Sequence, residues 1–280
     1  MNFIHWYPGH IAKAEKKLKE QLGAVDVIIE VIDARLPESS MHPDIAKLVN
    51  NKPRLILLNK ADLADETKTL EHIKAIKAKT GCAAMQTSAC DNRDISKILN
   101  KTAELGRPRI AALVKKGLLP RAVRVMAMGM PNTGKSSIIN KLIKKSKVKT
   151  GAKAGVTREQ QWVRVNPKIE LLDTPGIIPL RQDNQERAYK LAFVDSIGEN
   201  AYDAELVCAK FIKTVDKFYP DLIKNYYQTQ QADIESIALK RNWLIQGGAP
   251  DTRRCAQNIL NDFRLGRLGR LTLDDIKEYK

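Results

Sequence analysis

The first third of the chain shows short apolar runs separated by charged segments. "VDVIIEVID" (25–33) and "RLILLN" (54–59) are almost continuously apolar, which is typical of parallel strands buried on both faces. A charged helix is predicted over about 66–79, a third strand at "CAAMQTS" (82–88), and a second helix over about 93–105. The pattern therefore indicates strands that alternate with helices.

The alternation resumes after a segment that we interpret as a connector. "GRPRIAALVKKGLLPRA" (106–122) contains Pro108 and Pro120, which disfavour regular structure. "AVRVMAM" (122–128) then predicts a strand and 136–145 a helix, and "QQWVRV" and "IELLD" predict a last pair of strands. Such an alternation favours an α/β domain with a mainly parallel sheet.

Both ends of the chain have helical periodicity. The N-terminal "GHIAKAEKKLKEQL" places Ile11, Ala14, Leu18 and Leu22 on one narrow stripe. Strand patterns stop at about residue 184, and "TRRCAQNILNDF" repeats apolar residues at helical spacing. These are Ala256, Ile259, Leu260 and Phe263. We predict an α/β domain over 1–183 and a small all-α domain over 184–280.

Composition narrows the class of protein. Among 280 residues 43% are hydrophobic and 29% charged, as in soluble globular proteins. The longest apolar run is too short to span a bilayer and the N-terminus has no apolar signal core, so we expect a cytoplasmic protein that does not associate with membranes. The cysteines lack zinc spacing, and three histidines outside any motif are expected at the surface. These residues are Cys82, Cys90, Cys208 and Cys255, and His5, His42 and His72.

The formal net charge of +16 is concentrated in one quarter of the chain. Residues 107–168 hold sixteen Lys or Arg and one acid, Glu159. A solvated basic face is one explanation, but a nucleotide site needs only one or two of these cations. The surplus indicates a polyanionic partner, and RNA fits better than a membrane because no amphipathic anchor accompanies it. The residues expected to bind RNA are Lys144, Lys145, Lys147, Arg253, Arg254, Arg264 and Arg267.

"GMPNTGKSS" (129–137) matches the phosphate-binding pattern G-x-x-x-x-G-K-[ST] between a predicted strand and a predicted helix. Glycines let backbone N–H groups approach phosphates, and the helix N-terminus favours negative charge. Lys135 is expected to bind the β- and γ-phosphates and Ser136 to bind Mg²⁺. A glycine-rich turn is the alternative, but such turns rarely have Lys-Ser at this offset. The predicted phosphate-binding residues of this loop are Asn132, Thr133, Gly134, Lys135, Ser136 and Ser137.

Two further boxes follow the phosphate loop. "DTPG" (173–176) comes directly after an apolar strand, so Asp173 is predicted to hold Mg²⁺ through water and the Gly176 N–H to meet the γ-phosphate. "GVT" (155–157) lies between the phosphate loop and "DTPG", and the Thr157 hydroxyl is predicted to bind Mg²⁺ and to contact the phosphates. The alternative is that Thr157 is a loop threonine without function.

A guanine-recognition box precedes the phosphate loop. In "NKAD" (59–62), Asp62 can accept two hydrogen bonds from the edge that guanine presents, Asn59 can steady the site, and the Lys60 stem can cover the ring. A base that leaves such polar groups unpaired is rejected strongly. "TSAC" (87–90) follows the next strand; the Ala89 N–H is predicted to contact the guanine carbonyl oxygen, and Ser88 is a further predicted guanine-binding residue. A solvated loop is the alternative for either box.

Along the chain, the two base-recognition boxes come first, the phosphate loop follows, and "GVT" and "DTPG" come last. In a GTPase these last two correspond to the first and the second switch. Each follows or borders a predicted strand, and five accidental matches in this arrangement are less probable than one rearrangement. We therefore predict a circular permutation of a Ras-like P-loop domain, whose second switch leads directly into the helical C-terminal part.

The chain resembles a known family through "PGH", "DARLP", "NKAD", "GMPNTGKS", "GVT…QQW" and "LLDTPGI". These motifs, in this order, are similar to those of the ribosome biogenesis GTPase A (RbgA, also called YlqF) family of circularly permuted GTPases. The resemblance covers nearly the whole chain, although "IPLRQDNQE" (178–186) departs from the usual pattern. It implies a GTPase that binds GTP and GDP and acts on the precursor of the large ribosomal subunit, contacting its rRNA and ribosomal proteins.

The resemblance also implies roles for three residues. Ile177 stands where Ras-like enzymes have a water-orienting Gln, and the histidine of "PGH", His10, is a candidate catalytic residue together with Lys135. The alternative is that His10 only begins the first helix, and the sequence does not decide between these two roles. Asn132 resembles the asparagine that binds K⁺ in cation-activated GTPases. The alternative is that Asn132 only forms a turn with Pro131.

Three functions fit the sequence. The first is a GTP-hydrolysing factor that promotes late maturation of the large ribosomal subunit, stimulated by ribosomal particles. The second is a nucleotide-gated RNA-binding scaffold in which hydrolysis is incidental. The third, an RNA-modification GTPase, has no second catalytic motif to support it.

Overall fold

A computed structural model describes residues 20–88, 94–146, 162–172 and 184–279, together with residues 4, 18, 91, 176 and 177. Its centre is a seven-stranded sheet. The strands are β1 (Val27–Asp33), β2 (Arg54–Asn59), β3 (Ala83–Gln86), β4 (Val123–Gly129), β5 (Trp162–Asn166), β6 (Ile169–Leu172) and β7 (Gly176–Ile177).

The strand order joins two halves of the sequence in the middle of the sheet. The order is β3-β2-β1-β4-β6-β5, with β7 also pairing with β4. All pairs are parallel except β5 with β6, which confirms the prediction of a mainly parallel sheet. Because β1 pairs with β4, the first three strands continue the sheet of the later ones. This is the arrangement that the predicted permutation requires.

Alternating residues of the central strands fill a core on each face of the sheet. Val27, Ile29 and Val31 of β1 pack in one cluster, whereas Ile28 and Ile32 pack in clusters on the opposite face. Successive side chains of a strand point to opposite faces, so a strand without polar alternation must be covered on both. Every residue of β1 and of β2 is buried.

Helices cover both faces and form the part that follows residue 184. They are α1 (Pro37–Ser40), α2 (Ile45–Leu48), α3 (Glu66–Thr80), α4 (Ile95–Lys115), α5 (Lys135–Ser146), α6 (Gln185–Phe193), α7 (Ala204–Phe218), α8 (Leu222–Tyr227), α9 (Ile234–Lys240) and α10 (Thr252–Arg264). Short 3₁₀ turns occur at Ala61–Leu63, Glu199–Ala201 and Ile276–Tyr279.

The helices after residue 184 share one apolar core. Phe211 of α7 lies between Phe193 of α6 and Phe263 of α10, with ring centroids 5.3 and 4.9 Å apart. The predicted apolar face of α10 is buried in this core. Leu36 and Met130 of the α/β part belong to the same cluster, so the helical part packs directly against the sheet's loops. The domain boundary near residue 184 stays a prediction.

The interpretation of 106–122 as a connector is wrong for its first ten residues. Helix α4 continues through Pro108 to Lys115. Proline lacks the N–H of a helical hydrogen bond, but Pro108 is exposed, and its neighbours hold the helix to the sheet. Gly106 is buried against Val123, and Ile110 packs on the core of this face. Packing thus outweighs the local preference.

Two of the histidines expected at the surface are buried. His72 of α3 is fully buried, its Nε2 lies 3.3 Å from the Asp274 carbonyl oxygen, and burial lowers its pKa. His42 accepts a hydrogen bond from the Asp44 N–H; His5 lies outside the described residues.

Cys82, Cys208 and Cys255 are free thiols as predicted, whereas Cys90 is not described. The described residues include no His, Cys, Asp and Glu grouping that would hold a metal, and none of their helices is both long and apolar enough to cross a membrane.

Candidate nucleotide-binding site

The phosphate loop connects β4 to α5 and lies directly on the ends of β1 and β2. Gly129 has φ +156°, and a Cβ there would lie 2.2 Å from the Val31 carbonyl oxygen. Gly134 has φ +89°, and a Cβ there would lie 2.2 Å from Nδ2 of Asn59. Only glycine fits either position, since no side chain can share that space. The two glycines of the motif therefore bring the loop against the other half of the sheet.

Lys135 holds a buried ammonium group inside the loop. Its Nζ donates to the Met130 carbonyl oxygen, which also accepts a hydrogen bond from Oγ1 of Thr133 at 2.9 Å. Burial lowers the pKa of Lys135 to about 8. A phosphate group would offer this cation a stronger partner than a neutral carbonyl. The geometry thus suits a lysine that exchanges a loop carbonyl for phosphate oxygens.

Ser136 and Ser137 lie in the first turn of α5 with exposed side chains. The Ser136 hydroxyl is a hard oxygen donor of the kind that Mg²⁺ prefers. The other predicted magnesium ligands, Thr157 and Asp173, lie outside the described residues. Gly176 is described through its backbone: β7 pairs with β4 so that Gly176 lies opposite Met128. The predicted γ-phosphate contact therefore lies beside the start of the phosphate loop.

Asn59 joins the two rearranged parts of the site. It is fully buried at the end of β2, and its Nδ2 donates to the Thr133 carbonyl oxygen at 2.8 Å, across 74 positions of sequence. Next to it, Lys60 has the left-handed φ of +61°, and its Nζ lies 3.1 Å from Oδ2 of Asp33. The guanine box and the phosphate loop, distant in sequence, are thus in direct contact.

A cavity of about 490 Å³ opens beside the guanine box. Asp62 is exposed at its edge, and the Ala61 N–H donates to the Thr87 carbonyl oxygen at 3.1 Å, which ties the two predicted base-recognition loops together. Ser88 lines the cavity, whereas Ala89 lies outside the described residues. The cavity is lined by Ala61, Asp62, Gln86, Thr87, Ser88, Asp91, Asp94, Lys97 and Arg270. The position of the cavity and the Asp62 carboxylate at its edge suit a guanine base.

Asp33 and Arg35 also belong to the site, although their spacing in the sequence predicts no role for them. Both are buried, and Arg35 forms a bidentate pair with Asp33 through Nε (2.9 Å) and Nη2 (2.7 Å). Burial alone would raise the pKa of Asp33, but the charges of Arg35 and Lys60 outweigh it and hold that pKa far below its usual range. Asp33 therefore orients the Lys60 stem. Both residues belong to "DARLP" (33–37), one of the motifs that carry the family resemblance.

Asn132 is bound by the turn that follows α6. Its Nδ2 donates to the Asp195 backbone oxygen (2.7 Å) and to Oδ2 of the same residue (2.9 Å), while Oγ of Ser196 donates to the Pro131 carbonyl oxygen at 2.8 Å. The side-chain nitrogen of Asn132 is thus hydrogen-bonded to Asp195, which leaves the side-chain oxygen of Asn132 as the atom that would bind K⁺.

The residues predicted to bind RNA differ in how accessible they are. Lys144, Arg253 and Arg254 are exposed, and Arg267 is paired with Asp262 but remains 58% exposed. The guanidinium of Arg264 donates to the backbone oxygens of Ala192 and Phe193 and to the side chains of Tyr202 and Glu199. Its contact with RNA stays a prediction. Lys147 and His10 lie outside the described residues, as does the side chain of Lys145.

These features define a P-loop GTPase with a permuted G domain. Residues 124–242 match a family model described as "50S ribosome-binding GTPase". The match begins in β4, so the guanine box lies outside the matched residues. Ribosome biogenesis GTPase A of Bacillus cereus is 37% identical, with 99% of this chain and 95% of that protein covered. Its Thermotoga maritima counterpart is 32% identical, with coverage of 97% and 94%.

Solved structures agree with this assignment. The GNP-bound YlqF of T. maritima matches with a TM-score of 0.68 and 26% identity, covering 95% of this chain and 99% of that one. The GDP-bound form matches with a TM-score of 0.67 and 28% identity, covering 92% and 98%. The chain belongs to the ribosome biogenesis GTPase A family.

Proposed function

We propose that this GTPase binds the immature large ribosomal subunit and promotes its late maturation, using the permuted site to bind and hydrolyse GTP. The observation that carries the nucleotide site is the bond from Asn59 to Thr133, which unites the base box and the phosphate loop. The names of the relatives and the basic surplus of 107–168 support a ribosomal partner that contains RNA. Cytoplasmic localisation belongs to this proposal.

The roles of the phosphate-site residues follow from their positions. Lys135 neutralises the β- and γ-phosphates, and Ser136, Thr157 and Asp173 are the residues that would hold Mg²⁺. When bound, that ion neutralises charge on the phosphate oxygens. Asn132 would supply one oxygen to K⁺. The residue at position 177 is isoleucine, which cannot orient the attacking water. We therefore expect slow hydrolysis by the isolated protein, at most about the 10⁻⁴ to 10⁻³ per second of a Ras-like site without outside activation.

Guanine recognition is tested by Asp62→Asn. Asparagine presents a donor where guanine also presents one, so GTP affinity should fall roughly 10² to 10⁴-fold, while xanthosine triphosphate, whose edge has an acceptor there, should bind better. Titration with both nucleotides measures the switch. Because Asp62 is exposed, the variant should fold normally, and unchanged GTP affinity would refute the base-site assignment.

Stimulation by the particle separates the assembly factor from the scaffold. Single-turnover hydrolysis should accelerate by at least about tenfold on immature large subunits, because outside groups can complete a Ras-like site. His10→Ala should retain GTP binding and lose part of the acceleration if His10 is catalytic. Particles that bind the protein without changing its hydrolysis rate would favour the scaffold.

A further inference from the structure

The segment that follows α10, residues 265–274, returns to the guanine box; we call it the C-terminal strap. The Leu271 N–H donates to the Leu63 carbonyl oxygen at 3.1 Å, and Oγ1 of Thr272 accepts from the Asp65 N–H at 3.2 Å. Gly266 lies against the same loop, since a Cβ there would be 2.7 Å from Cδ2 of Leu63. The strap is therefore bonded along the loop that carries Asp62.

Arg270 is the strap residue that reaches the base cavity. Its Nε donates to the Ala64 carbonyl oxygen at 2.8 Å and its Nη2 to the Ala61 carbonyl oxygen at 3.1 Å. Its Nη1 lies 3.6 Å from Oε2 of Glu66. The two carbonyls flank the 3₁₀ turn Ala61–Leu63, whose middle residue is Asp62. One guanidinium thus spans the turn from one side to the other.

A clamp of this kind determines where the Asp62 carboxylate points. Short 3₁₀ turns have poorer hydrogen-bond geometry than α-helices, and the Asp62 side chain is exposed, so little packing aims it. An arginine can bind two acceptors at once with its planar fork, whereas a lysine offers a point charge on a flexible stem. Bidentate recognition of guanine tolerates little misorientation of the carboxylate.

We propose that Arg270 is a positioning residue for guanine specificity, acting by fixing the turn that carries Asp62. The proposal rests on the assignment of this cavity to the guanine base. It also makes the helical part a contributor to nucleotide selection, since the strap continues directly from α10.

The test compares Arg270→Ala and Arg270→Lys with Arg241→Ala. Arg241 is a matched control because it is another exposed arginine of the helical part, and its guanidinium lies over the Tyr227 ring, away from the cavity. Affinities for GDP and for IDP, which lacks the 2-amino group, are measured by titration. Arg270→Ala should weaken GDP binding by about 5 to 30-fold and IDP binding by less, so that the preference for GDP over IDP decreases. Arg270→Lys should resemble Arg270→Ala, and Arg241→Ala should resemble the parent.

Three outcomes would overturn the inference: GDP affinity of Arg270→Ala within twofold of the parent, an equal loss in Arg241→Ala, or equal losses for GDP and IDP. The last outcome would show that Arg270 does not act through Asp62. Asp62→Asn in the same assay keeps the two proposals apart. If it leaves GDP affinity unchanged, the base-site assignment fails; if it lowers GDP affinity while Arg270→Ala does not, only the role of Arg270 fails.

Discussion

At the scale of single residues, the site depends on polar groups that are buried before any nucleotide arrives. Lys135 is 6% exposed and has a backbone carbonyl as its partner. Removing a charged ammonium from water disfavours the charged form, which is why its pKa falls from 10.5 to about 8. Phosphates reverse this effect, because an anion next to the amine favours its charged form. Nucleotide binding should therefore be coupled to protonation of Lys135.

We expect GDP binding to take up about half a proton at pH 8 and about a tenth at pH 7. Below pH 8 the lysine of the empty site is already protonated, whereas above it the amine is neutral and must gain a proton when phosphate binds. Calorimetry in buffers of different ionisation enthalpy measures this uptake. Lys141→Ala, which removes another amine from α5, should leave it unchanged. Equal uptake at pH 7 and pH 8 would contradict the role of Lys135.

Which site residues could be predicted from the sequence depends on where their partners lie. Lys135 and Gly134 belong to a contiguous motif whose spacing is itself the signal. The role of Asp33 becomes visible only through Lys60, and that of Asp195 only through Asn132, 63 positions away. Arg264 shows that the partners of a cation cannot be read from a contiguous segment: carbonyls at the end of α6 lie within its reach, so its guanidinium is bonded inside the fold.

At the scale of elements, apolar periodicity predicted strands β1 to β6, because buried runs are long and uninterrupted in this sheet, and it predicted helices α3, α4, α5 and α10. It failed where contacts outweigh local preference, as in α4, which continues through Pro108. Strand β7 has two residues and no pattern of its own; only its pairing with β4 defines it. The predicted N-terminal stripe is described only in part: Leu18 and Leu22 are buried as expected, whereas Ile11 and Ala14 lie outside the described residues.

Helix α4 allows a test of close packing at one glycine. Replacing glycine by alanine within a helix usually stabilises by about 1 kcal/mol. At Gly106, however, a Cβ would lie 2.3 Å from Cγ1 of Val123, a stiff β-branched side chain on β4. We expect Gly106→Ala to lower the free energy of unfolding by about 1 to 3 kcal/mol. Urea denaturation measures the change.

The double variant Gly106→Ala/Val123→Ala tests the cause. Truncating Val123 makes room for the new methyl group, so the two losses should be clearly less than additive. Strictly additive losses would show that the contact between α4 and β4 is not the reason for the instability.

At the scale of the whole molecule, the helical part contacts both ends of the nucleotide site. The turn after α6 binds the phosphate loop through Asn132, and the strap binds the guanine box through Arg270. A partner that displaces the helical part could therefore change nucleotide affinity without touching the nucleotide. The helical part is nearly neutral, because residues 184–280 hold fifteen Lys or Arg and fourteen Asp or Glu. The basic surplus lies in residues 107–168 of the α/β part. RNA affinity is accordingly expected to depend mainly on the α/β part.

We predict that RNA binding weakens steeply with salt and that the α/β part causes the dependence. If six phosphates are neutralised, log affinity should fall against log salt with a slope of about −4 for single strands and −5 for duplexes. Lys115, Lys116 and Lys144 are exposed, and reversing all three to Glu should lower affinity for every RNA alike and reduce the slope by about 2 to 3.

The matched control reverses Lys210, Lys213 and Lys240, which are equally exposed but lie on α7 and α9. The control variant changes the net charge of the protein by the same amount, so the long-range attraction between protein and RNA is weakened equally in both triple variants. Only contacts with phosphates distinguish them, because screening suppresses interactions beyond about 8 Å at physiological ionic strength. Filter binding over a range of salt concentrations compares the two slopes. Equal slopes in the two triple variants, or a salt-independent affinity in the parent, would place the RNA contact outside the basic surplus.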